Sequence, residues 1–488
     1  MRIVQTFWTA KADLTRSTFG WTNPEYNLMA WTLSCLSLRR YYKDVVLYTD
    51  KEGYHILIEK LGLPYTDVVI MYENLLCLPT HWGYPKILTY LFQKEPFLHI
   101  DGDVFINKQL PCDIMKATLI TQNKEISSDY YRNMVNRIVN NKNVTLPVFF
   151  DPDDFKTGIP SYNMGVFGGS DLAFIKYYCT EAIDFIEKNQ LNNPKSANAN
   201  MACNVFFEQI FLAILAEKSN KKITTLLNQS IRDNGYMLNE FCDLWNYTCK
   251  PFFHIIGGHK KNAEVCRALE NILKLYYPVY YKKIISLLPD RYAGRFEESK
   301  HTNKTINEND LMKEYYLHIE KNRIIWEDIE LESQLDWEIK NANSQIRWKK
   351  FKKEKKEELF FEQNEHMSIF LISSAYSEEE KKEIVKRLNC EDLYPLEQIA
   401  IIPSSKRPGY IEVPLLDNEK QIILNIQNGQ NSFKSIVEFF NDKYLSCDKR
   451  NLKAVNILIY QSIDTLLYSG IISISTTLTE ETLGSCDL

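Results

Sequence analysis

Apolar residues near the start of the chain follow the period of a strand and the period of a helix in turn. Residues 2–9 and 45–48 are short apolar runs, and apolar side chains recur at helical spacing over residues 27–40 between them. A strand, a helix and a strand in this order predict a right-handed crossover and a parallel sheet. A strand at 68–70 and a helix over 82–91, with a proline near its first turn, extend the pattern. The first part of the chain is therefore predicted to be an α/β domain.

The pattern weakens after this region and then returns. Residues 126–155 are rich in Asn, Asp and Tyr and poor in apolar periodicity, so we expect an irregular insertion there. A strand flanked by glycines is predicted at 161–169, and a helix over 202–215.

The second half begins with a charged segment. Lys, Glu and Asn dominate residues 297–365, in which Trp326, Trp337 and Trp348 are eleven residues apart. This spacing predicts one side of a long helix. The lysine-rich residues 349–356 are expected to be its solvated face, with a nucleic-acid patch as the alternative.

A smaller module is predicted at the C-terminal end. Residues 410–414 and 421–425 suggest a hairpin, followed by helices over 433–443 and 451–468 and a strand at 471–474. Hairpin, helices and final strand together indicate a small winged-helix pattern.

Length and composition narrow the class of protein. A chain of 488 residues is expected to form two or three domains, and 45% hydrophobic with 25% charged residues is typical of a globular protein. The net charge of −5 gives no reason to expect a nucleic acid as partner. Because no long apolar run or secretory signal is seen, we expect a cytoplasmic protein with no membrane span. The 11 cysteines form no CxxC motif and are expected to be reduced.

Two carboxylates one residue apart interrupt the apolar stretch 97–106. Asp101 and Asp103 can converge on one point if the strand ends there in a tight turn, which Gly102 permits. Two carboxylates suit Mg²⁺ or Mn²⁺ and leave positions for substrate phosphates and water. The alternative is a turn in which an Asp caps its own backbone. Uncompensated carboxylates beside a buried strand are costly, and this favours a site.

Ligands of a parallel sheet bind beyond the carboxyl ends of its strands. The residues that this rule places near a nucleotide are Phe7, Trp8, Thr9, Tyr48 and Asp50. Each can equally be a capping or core residue. Lys86, near the start of the helix over 82–91, either meets a phosphate or is solvated.

Later segments add polar groups to apolar surroundings. Asn163 can both donate to and accept from a sugar hydroxyl. Glu208 and Gln209 interrupt an apolar helix, so they belong either to a site or to a solvent-facing side.

A histidine near residue 254 completes the candidate chemistry. His254 suits Mn²⁺ as a third ligand, although a lone histidine in an apolar segment is more often a core residue. Gly257 lets the backbone approach phosphate oxygens, and Lys260 adds positive charge for a departing diphosphate.

This ordered set of motifs resembles the GT-A glycosyltransferases, most closely the glycogenin-like and bacterial galactosyltransferase-like group that acts with retention. The motifs that carry the resemblance are Asp101-Gly102-Asp103, Tyr162-Asn163-Met164-Gly165, Glu208-Gln209 and His254-x-x-Gly257-x-x-Lys260. The match covers residues 1 to about 265. It implies an α/β GT-A nucleotide-diphospho-sugar transferase fold with a Rossmann-like mixed sheet. Residues 96–105 also resemble a sequence motif of an uncharacterised bacterial family. This second resemblance implies no further catalytic or binding role.

The resemblance implies a role for each matching residue. It implies that Asp101, Asp103 and His254 hold Mn²⁺ (or Mg²⁺), that Gly257 and Lys260 contact the diphosphate, and that Asn163 and Gln209 lie near the transferred sugar.

The chain departs from that group at two points. Glu208-Gln209 stands where the group has Asp-Gln, which leaves open which side chain approaches the anomeric carbon. The Pro-Trp that usually follows the lysine is absent.

The C-terminal pattern resembles the PqqD-type peptide-recognition modules, which bind leader peptides of ribosomally made, modified peptides at a hairpin edge. A generic winged-helix or dimerisation module is the alternative. The resulting division of the chain is a GT-A domain at 1–295, a charged helical connector at 296–399, a PqqD-like winged-helix module at 400–476 and a tail at 477–488.

The predicted function is metal-dependent transfer of a hexose from a UDP-sugar to an acceptor, with a ribosomally made peptide as the candidate acceptor. A catalytically inactive GT-A scaffold that binds a peptide or a partner protein is the first alternative. A nucleotidyltransferase is the second, but the segment after Thr9 lacks the Gly-rich, basic loop that it needs.

Overall fold

A computed structural model describes residues 1–126, 129–152, 158–227, 231–232, 241–244, 247, 250–288, 311–327, 329–356, 358–388, 390, 393, 395–403, 410–445 and 452–475. The chain divides into two compact units, residues 1–288 and 289–488. Each unit contains its own clusters of buried apolar side chains. The predicted tail at 477–488 lies outside the described residues.

The first unit is built on a large mixed sheet. Its strands, with a short pair beside the sheet, are β1 (Arg2–Phe7), β2 (Val45–Thr49), β3 (Asp67–Ile70), β4 (Phe97–Ile100), β5 (Val104–Ile106), β6 (Ile120–Ile126), β7 (Pro160–Gly169), β8 (Thr224–Thr225), β9 (Ile231–Arg232) and β10 (Phe252–His254). The order across the sheet is β3-β2-β1-β4-β7-β6-β8, with β9 also paired to β6. Strands β3, β2, β1 and β4 run parallel, which confirms the predicted parallel sheet. Strand β7 is antiparallel to both β4 and β6.

Helices cover the sheet at positions that apolar periodicity largely predicts. The α-helices of the first unit are Pro24–Tyr41, Lys51–Tyr54, Gly83–Phe92, Cys112–Met115, Asp129–Val139, Leu172–Lys188, Phe211–Lys218, Ala263–Tyr276 and Pro278–Ser286. The two five- to six-residue π-helical segments are His55–Lys60 and Phe206–Ile210, and the 3₁₀ turns include Pro79–His81 and Gly257–Lys261.

The region expected to be an irregular insertion contains a helix. Over Asp129–Val139, the side chains of Tyr131, Met134, Val135 and Ile138 are buried. Their spacing of three and four residues is that of one helix face. The polar residues between them concealed this pattern, so the expectation of an irregular segment was wrong here.

The second unit combines helices with two small antiparallel sheets. Its strands are β11 (Phe361–Gln363), β12 (Ser368–Leu371), β13 (Gln398–Pro403), β14 (Tyr410–Pro414) and β15 (Ile472–Ile474). Its helices are Leu311–Glu327, Leu331–Glu354, Glu378–Arg387, Asp417–Gln427, Phe433–Leu445 and Leu452–Ser469. One sheet has the order β12-β13-β14, and the other pairs β11 with β15.

The predicted C-terminal hairpin is wrong. Strand β14 pairs with β13, and the residues expected to form the second hairpin strand lie in the helix Asp417–Gln427. Ile422, Ile423 and Ile426 are buried, which is helical spacing. The two later helices and the final strand are confirmed.

The charged segment is part of the second unit's packing. Trp326 lies in one helix, Leu311–Glu327, whereas Trp337 and Trp348 lie in the next, so the three do not share one long helix. Trp348 is buried in the apolar core, and its Nε1 donates to Asp464 (2.7 Å). Strands β11 and β12, in the segment expected to be a connector, pair with strands after residue 396.

Within the described part of the chain, none of the helices combines the length and apolarity needed to cross a membrane.

Candidate active site

The acidic pair lies in a tight turn at the carboxyl end of strand β4. The Asp101 N–H donates to the Gly165 carbonyl of β7 (2.9 Å), and the Val104 N–H donates back to the Asp101 carbonyl (3.1 Å). A Cβ on Gly102 would lie 2.4 Å from Cε2 of Trp31, and Gly102 does not have a positive φ. The glycine is thus required by the packed indole ring rather than by the backbone conformation that the sequence suggested.

A two-stranded pairing brings His254 to this turn. Strand β10 runs antiparallel to β5, with His254 opposite Val104. The Ile255 N–H donates to the Asp103 carbonyl (3.0 Å). Backbone pairing therefore brings together side chains that are far apart in the sequence.

Asp101, Asp103 and His254 form a group whose ligand atoms all lie within 4.8 Å of one another. His254 Nδ1 donates to Gln122 Oε1 (2.8 Å), and Gln122 Nε2 in turn donates to Asn123 Oδ1 (3.1 Å). This hydrogen bond leaves a lone pair on Nε2, which lies 3.6 Å from Asp103 Oδ1. Burial lowers the pKa of His254, which favours the neutral form that binds metals. Two carboxylates and a neutral imidazole fit Mn²⁺.

The glycine of the Asn-x-Gly motif makes room for this histidine. A Cβ on Gly165 would lie 2.6 Å from His254 Cε1 and 2.7 Å from Gln122 Oε1. The strand bearing Asn163 can therefore approach the histidine only if residue 165 has no side chain.

Lys260 supplies positive charge next to Asp103. Its Nζ lies 2.7 Å from Asp103 Oδ2 and 5.9 Å from the centre of the Trp21 ring. Burial alone would raise the pKa of Asp103, but the nearby positive charge of Lys260 lowers it below its usual value. Gly257 begins the 3₁₀ turn that carries this lysine and has a positive φ of 52°, with no atom within 4 Å of a Cβ placed there.

Lys86 is buried between two carboxylates. Its Nζ lies 2.9 Å from Asp101 Oδ1 and 2.6 Å from Glu208 Oε1. Burial opposes the charge of Lys86, but Asp101 and Glu208 together raise its pKa. This position excludes the solvated lysine, and the contact of Lys86 with a phosphate stays a prediction.

Glu208 is fully buried in the π-helical segment Phe206–Ile210. Its Oε2 accepts no hydrogen bond from the described residues. Burial raises the pKa of Glu208 to about 7, Lys86 opposes the rise, and the negative charge of Asp101 adds to it. Of the two alternatives, the structure excludes the solvent-facing side for this residue.

Asn163 and Gln209 are connected through Glu125 and Tyr131. Asn163 Nδ2 donates to Glu125 Oε1 (3.0 Å), and Asn163 Oδ1 accepts from the Gly165 N–H (2.9 Å). The Tyr131 hydroxyl contacts Glu125 Oε2 and also lies 2.9 Å from Gln209 Oε1. All four side chains are buried.

These contacts, together with the peptide bond between Glu208 and Gln209, close into a ring. It runs through Asp101, Lys86, Glu208, Gln209, Tyr131, Glu125, Asn163 and Gly165, and returns to Asp101 through the Gly165 carbonyl. The ring joins Asp101, one of the candidate metal ligands, to the two amides that the motifs placed near a sugar.

The predicted nucleotide contacts occupy structural positions at the ends of β1 and β2. Thr9 donates to Asp50 Oδ2 through its N–H (2.8 Å) and its hydroxyl (2.7 Å), and Asp50 Oδ1 caps the short helix Lys51–Tyr54. The Phe7 ring packs on Trp31 with the ring centres 4.6 Å apart. Tyr48 is a core residue, and Trp8 packs partly buried against the same core. Thr9 and Asp50 thus shape the loops at this edge of the sheet, while Phe7 and Tyr48 take the core role.

Sequence reasoning missed Gln122, Glu125 and Tyr131. Strand β6 carries Gln122 and Glu125 at buried positions where apolar residues are normal, and this is a signal that could have found them. Tyr131 stands in the segment expected to be irregular, and nothing in the sequence near it pointed to a site.

The model of the family described as "Family of unknown function (DUF6734)" matches residues 1–287. No curated protein matches the chain. Among the solved structures that match is the crystal structure of the glycosyltransferase GlyE from Streptococcus pneumoniae TIGR4, with 12% sequence identity and a TM-score of 0.24. The match covers 46% of this chain and 46% of that chain, or about half of each. At such low identity and superposition, this likeness supports no conclusion about activity.

Proposed function

The chain belongs to the DUF6734 family of unknown function, and we propose that it is a metal-dependent glycosyltransferase that moves a hexose from a UDP-sugar to an acceptor. One observation carries the proposal. Two carboxylates and a neutral imidazole lie within 4.8 Å at the carboxyl end of a parallel strand, with Lys260 beside them. A nucleoside diphosphate is the ligand that such an edge and such charges favour.

The metal ligands in this proposal are Asp101, Asp103 and His254. A divalent cation bound there would neutralise the diphosphate leaving group. Lys260 is close enough to the same place to contact a diphosphate oxygen, and the open backbone at Gly257 lets amides approach it. Asn163 and Gln209 provide hydrogen bonds for the hydroxyls of the transferred sugar.

We propose that transfer occurs with retention and that Glu208 is a positioning residue rather than the nucleophile. Glu208 is fully buried and forms an ion pair with Lys86, so its carboxylate is engaged away from the anomeric carbon. Gln209, which keeps some exposure, is the side chain of this pair that contacts the sugar in the proposal. Proton NMR of the anomeric signal in the product distinguishes retention from inversion.

The acceptor in this proposal is a peptide bound by the second unit. Strands β12 and β14 each pair on one side only with a described strand, so an extended peptide can add to either edge. Mass spectrometry of short peptides encoded beside the protein, incubated with a panel of UDP-sugars, tests this part separately.

The decisive test of the active site uses Asp103→Ala. Calorimetric titration with UDP in the presence of Mn²⁺ should give binding to the wild type and none to the variant, because one of three ligands and the partner of Lys260 are both removed. Release of UDP from the donor should be lost as well. Asp113→Ala, which removes an exposed carboxylate, is the matched control and should behave as the wild type.

Two outcomes would contradict the proposal. Wild-type protein that shows no metal-dependent UDP binding would instead be the inactive scaffold considered above. Full activity of Asp103→Ala in the presence of a chelator would refute the metal role.

A further inference from the structure

Glu125 and Tyr131 lie outside every motif of the chain, yet both connect the two amides of the candidate site. Glu125 is on strand β6 and Tyr131 on the helix Asp129–Val139. Gln209 comes from the π-helical segment and Asn163 from β7. Four separate elements thus meet in one buried hydrogen-bonded cluster.

The cluster fixes which way the Asn163 amide is turned. Its oxygen accepts from the Gly165 N–H, and its nitrogen donates to Glu125, which as a carboxylate can only accept. Rotating the amide by 180° would place its nitrogen against the Gly165 N–H, which is a donor, and its oxygen against the Glu125 carboxylate, which is an acceptor. One N–H and one oxygen lone pair of Asn163 remain for a ligand.

The cluster also holds one end of the Gln209 amide. The Tyr131 hydroxyl has a single proton and lies between Glu125 Oε2 and Gln209 Oε1, 2.9 Å from the latter. With one end of the amide held there, Gln209 directs the other end at whatever occupies the site. A sugar hydroxyl, which can both donate and accept, is a partner of the right kind for an amide.

We propose that Glu125 and Tyr131 are positioning residues for the sugar, holding the Gln209 amide in place and Asn163 as a mixed donor and acceptor. This inference rests on the proposed function and deepens it. The cluster reaches Asp101 through the backbone of Gly165, whose N–H donates to Asn163 and whose carbonyl accepts from the Asp101 N–H. Because the cluster holds the two amides assigned to the sugar, its effect is expected chiefly on the part of the donor that UDP lacks.

The experiment compares UDP with a UDP-hexose in the presence of Mn²⁺. The donor is UDP-glucose or UDP-galactose, whichever the wild type turns over faster. Tyr131→Phe removes only the hydroxyl. Its affinity for UDP should stay within about twofold of the wild type, while kcat/KM for the UDP-hexose should fall roughly five- to tenfold, the effect expected for one hydrogen bond.

Three further variants sharpen the test. Tyr130→Phe, the loss of the same hydroxyl from the exposed neighbouring residue, is the matched control and should leave both values unchanged. Glu125→Gln keeps the side-chain size but replaces one acceptor with a donor. It should also lower kcat/KM for the UDP-hexose while leaving the affinity for UDP unchanged, and it provides the test if Tyr131→Phe folds poorly. In a Gln209→Ala background, Tyr131→Phe should cause a smaller further loss than in the wild type, because part of its effect passes through Gln209 and the rest through Glu125.

Each outcome separates the two proposals. A wild type without Mn²⁺-dependent UDP binding refutes the proposed function, and the positioning role with it. If the wild type is active but Tyr131→Phe and Glu125→Gln match it, only the positioning role is refuted. Equal losses for UDP and the UDP-hexose, or losses that multiply with Gln209→Ala, indicate general structural damage and also overturn it.

Discussion

Glu208 and Asp101 share a single ammonium group in a buried place. Lys86 lies within 3 Å of an oxygen of each, so it compensates one of two negative charges. The second charge is left in a poorly solvated environment, and the protein responds by holding a proton more tightly on Glu208. Burial is the main reason why the pKa of Glu208 rises to about 7 despite the ion pair, and the negative charge of Asp101 adds to the rise.

The shared charge predicts how stability depends on pH. Between pH 4.5, the ordinary value for a glutamate, and about 7, the folded state keeps a proton on Glu208 that the unfolded state has lost. The free energy of unfolding due to this residue therefore falls as pH rises through that window, by on the order of 3 kcal/mol. Glu208→Gln lacks this loss. The free energy of unfolding of the variant minus that of the wild type should therefore be larger at about pH 8 than at about pH 5.

Calorimetric melting of both proteins across this pH range measures the effect. Glu217→Gln, on the exposed part of the helix Phe211–Lys218, is the control for loss of a carboxylate from the same region. A difference between Glu208→Gln and the wild type that is flat across the range would contradict the shared-charge explanation.

Some residues of the site could be predicted from the sequence, and others could not. Asp101, Asp103 and His254 stand out because charge or imidazole interrupts apolar strands, and the parallel order of β1 and β4 places the first two at a ligand-binding edge. Tyr131 hides because tyrosine is common and its partners are distant in the chain. Lys86 was noticed, but its role depends on Glu208, which only the packed fold brings within reach.

At the scale of elements, periodicity was sufficient where one face is buried against the sheet. The helix Pro24–Tyr41 and strand β7 were predicted almost to their ends. The predictions of secondary structure were wrong where apolar residues are few, or where a short run of residues fits both a strand and a helix. The run Gln421-Ile-Ile-Leu-Asn satisfies the pattern of a short buried strand and that of a helix turn equally, and tertiary packing decides for the helix Asp417–Gln427.

This helix makes a prediction that separates it from the rejected hairpin strand. In a strand, Ile422 and Leu424 would lie on the same face and respond alike to truncation. In the helix, Ile422 is fully buried and Leu424 is 48% exposed. Ile422→Ala should therefore destabilise the second unit by about 2–5 kcal/mol, and Leu424→Ala by no more than about 0.5 kcal/mol. Urea unfolding of the two variants measures this difference, and similar losses would favour the strand.

At the scale of the whole molecule, every residue of the candidate site lies in the first unit. The second unit has separate apolar clusters, built around Trp348 and around Tyr315. The family match also ends at residue 287, next to the boundary at Leu288. We therefore expect ligands of the site to stabilise the first unit alone.

Scanning calorimetry of the full chain tests this expectation. Mn²⁺ with UDP at about 100 times its dissociation constant should stabilise the first unit by about 2.7 kcal/mol, which raises its Tm by about 4–5 °C. The transition of the second unit should stay in place, and Ile422→Ala identifies it by lowering that transition selectively. A chelator should cancel the shift, because the three metal ligands are needed for binding. If both transitions move together, or one transition covers the whole chain, the two units do not unfold separately, and the expectation is wrong.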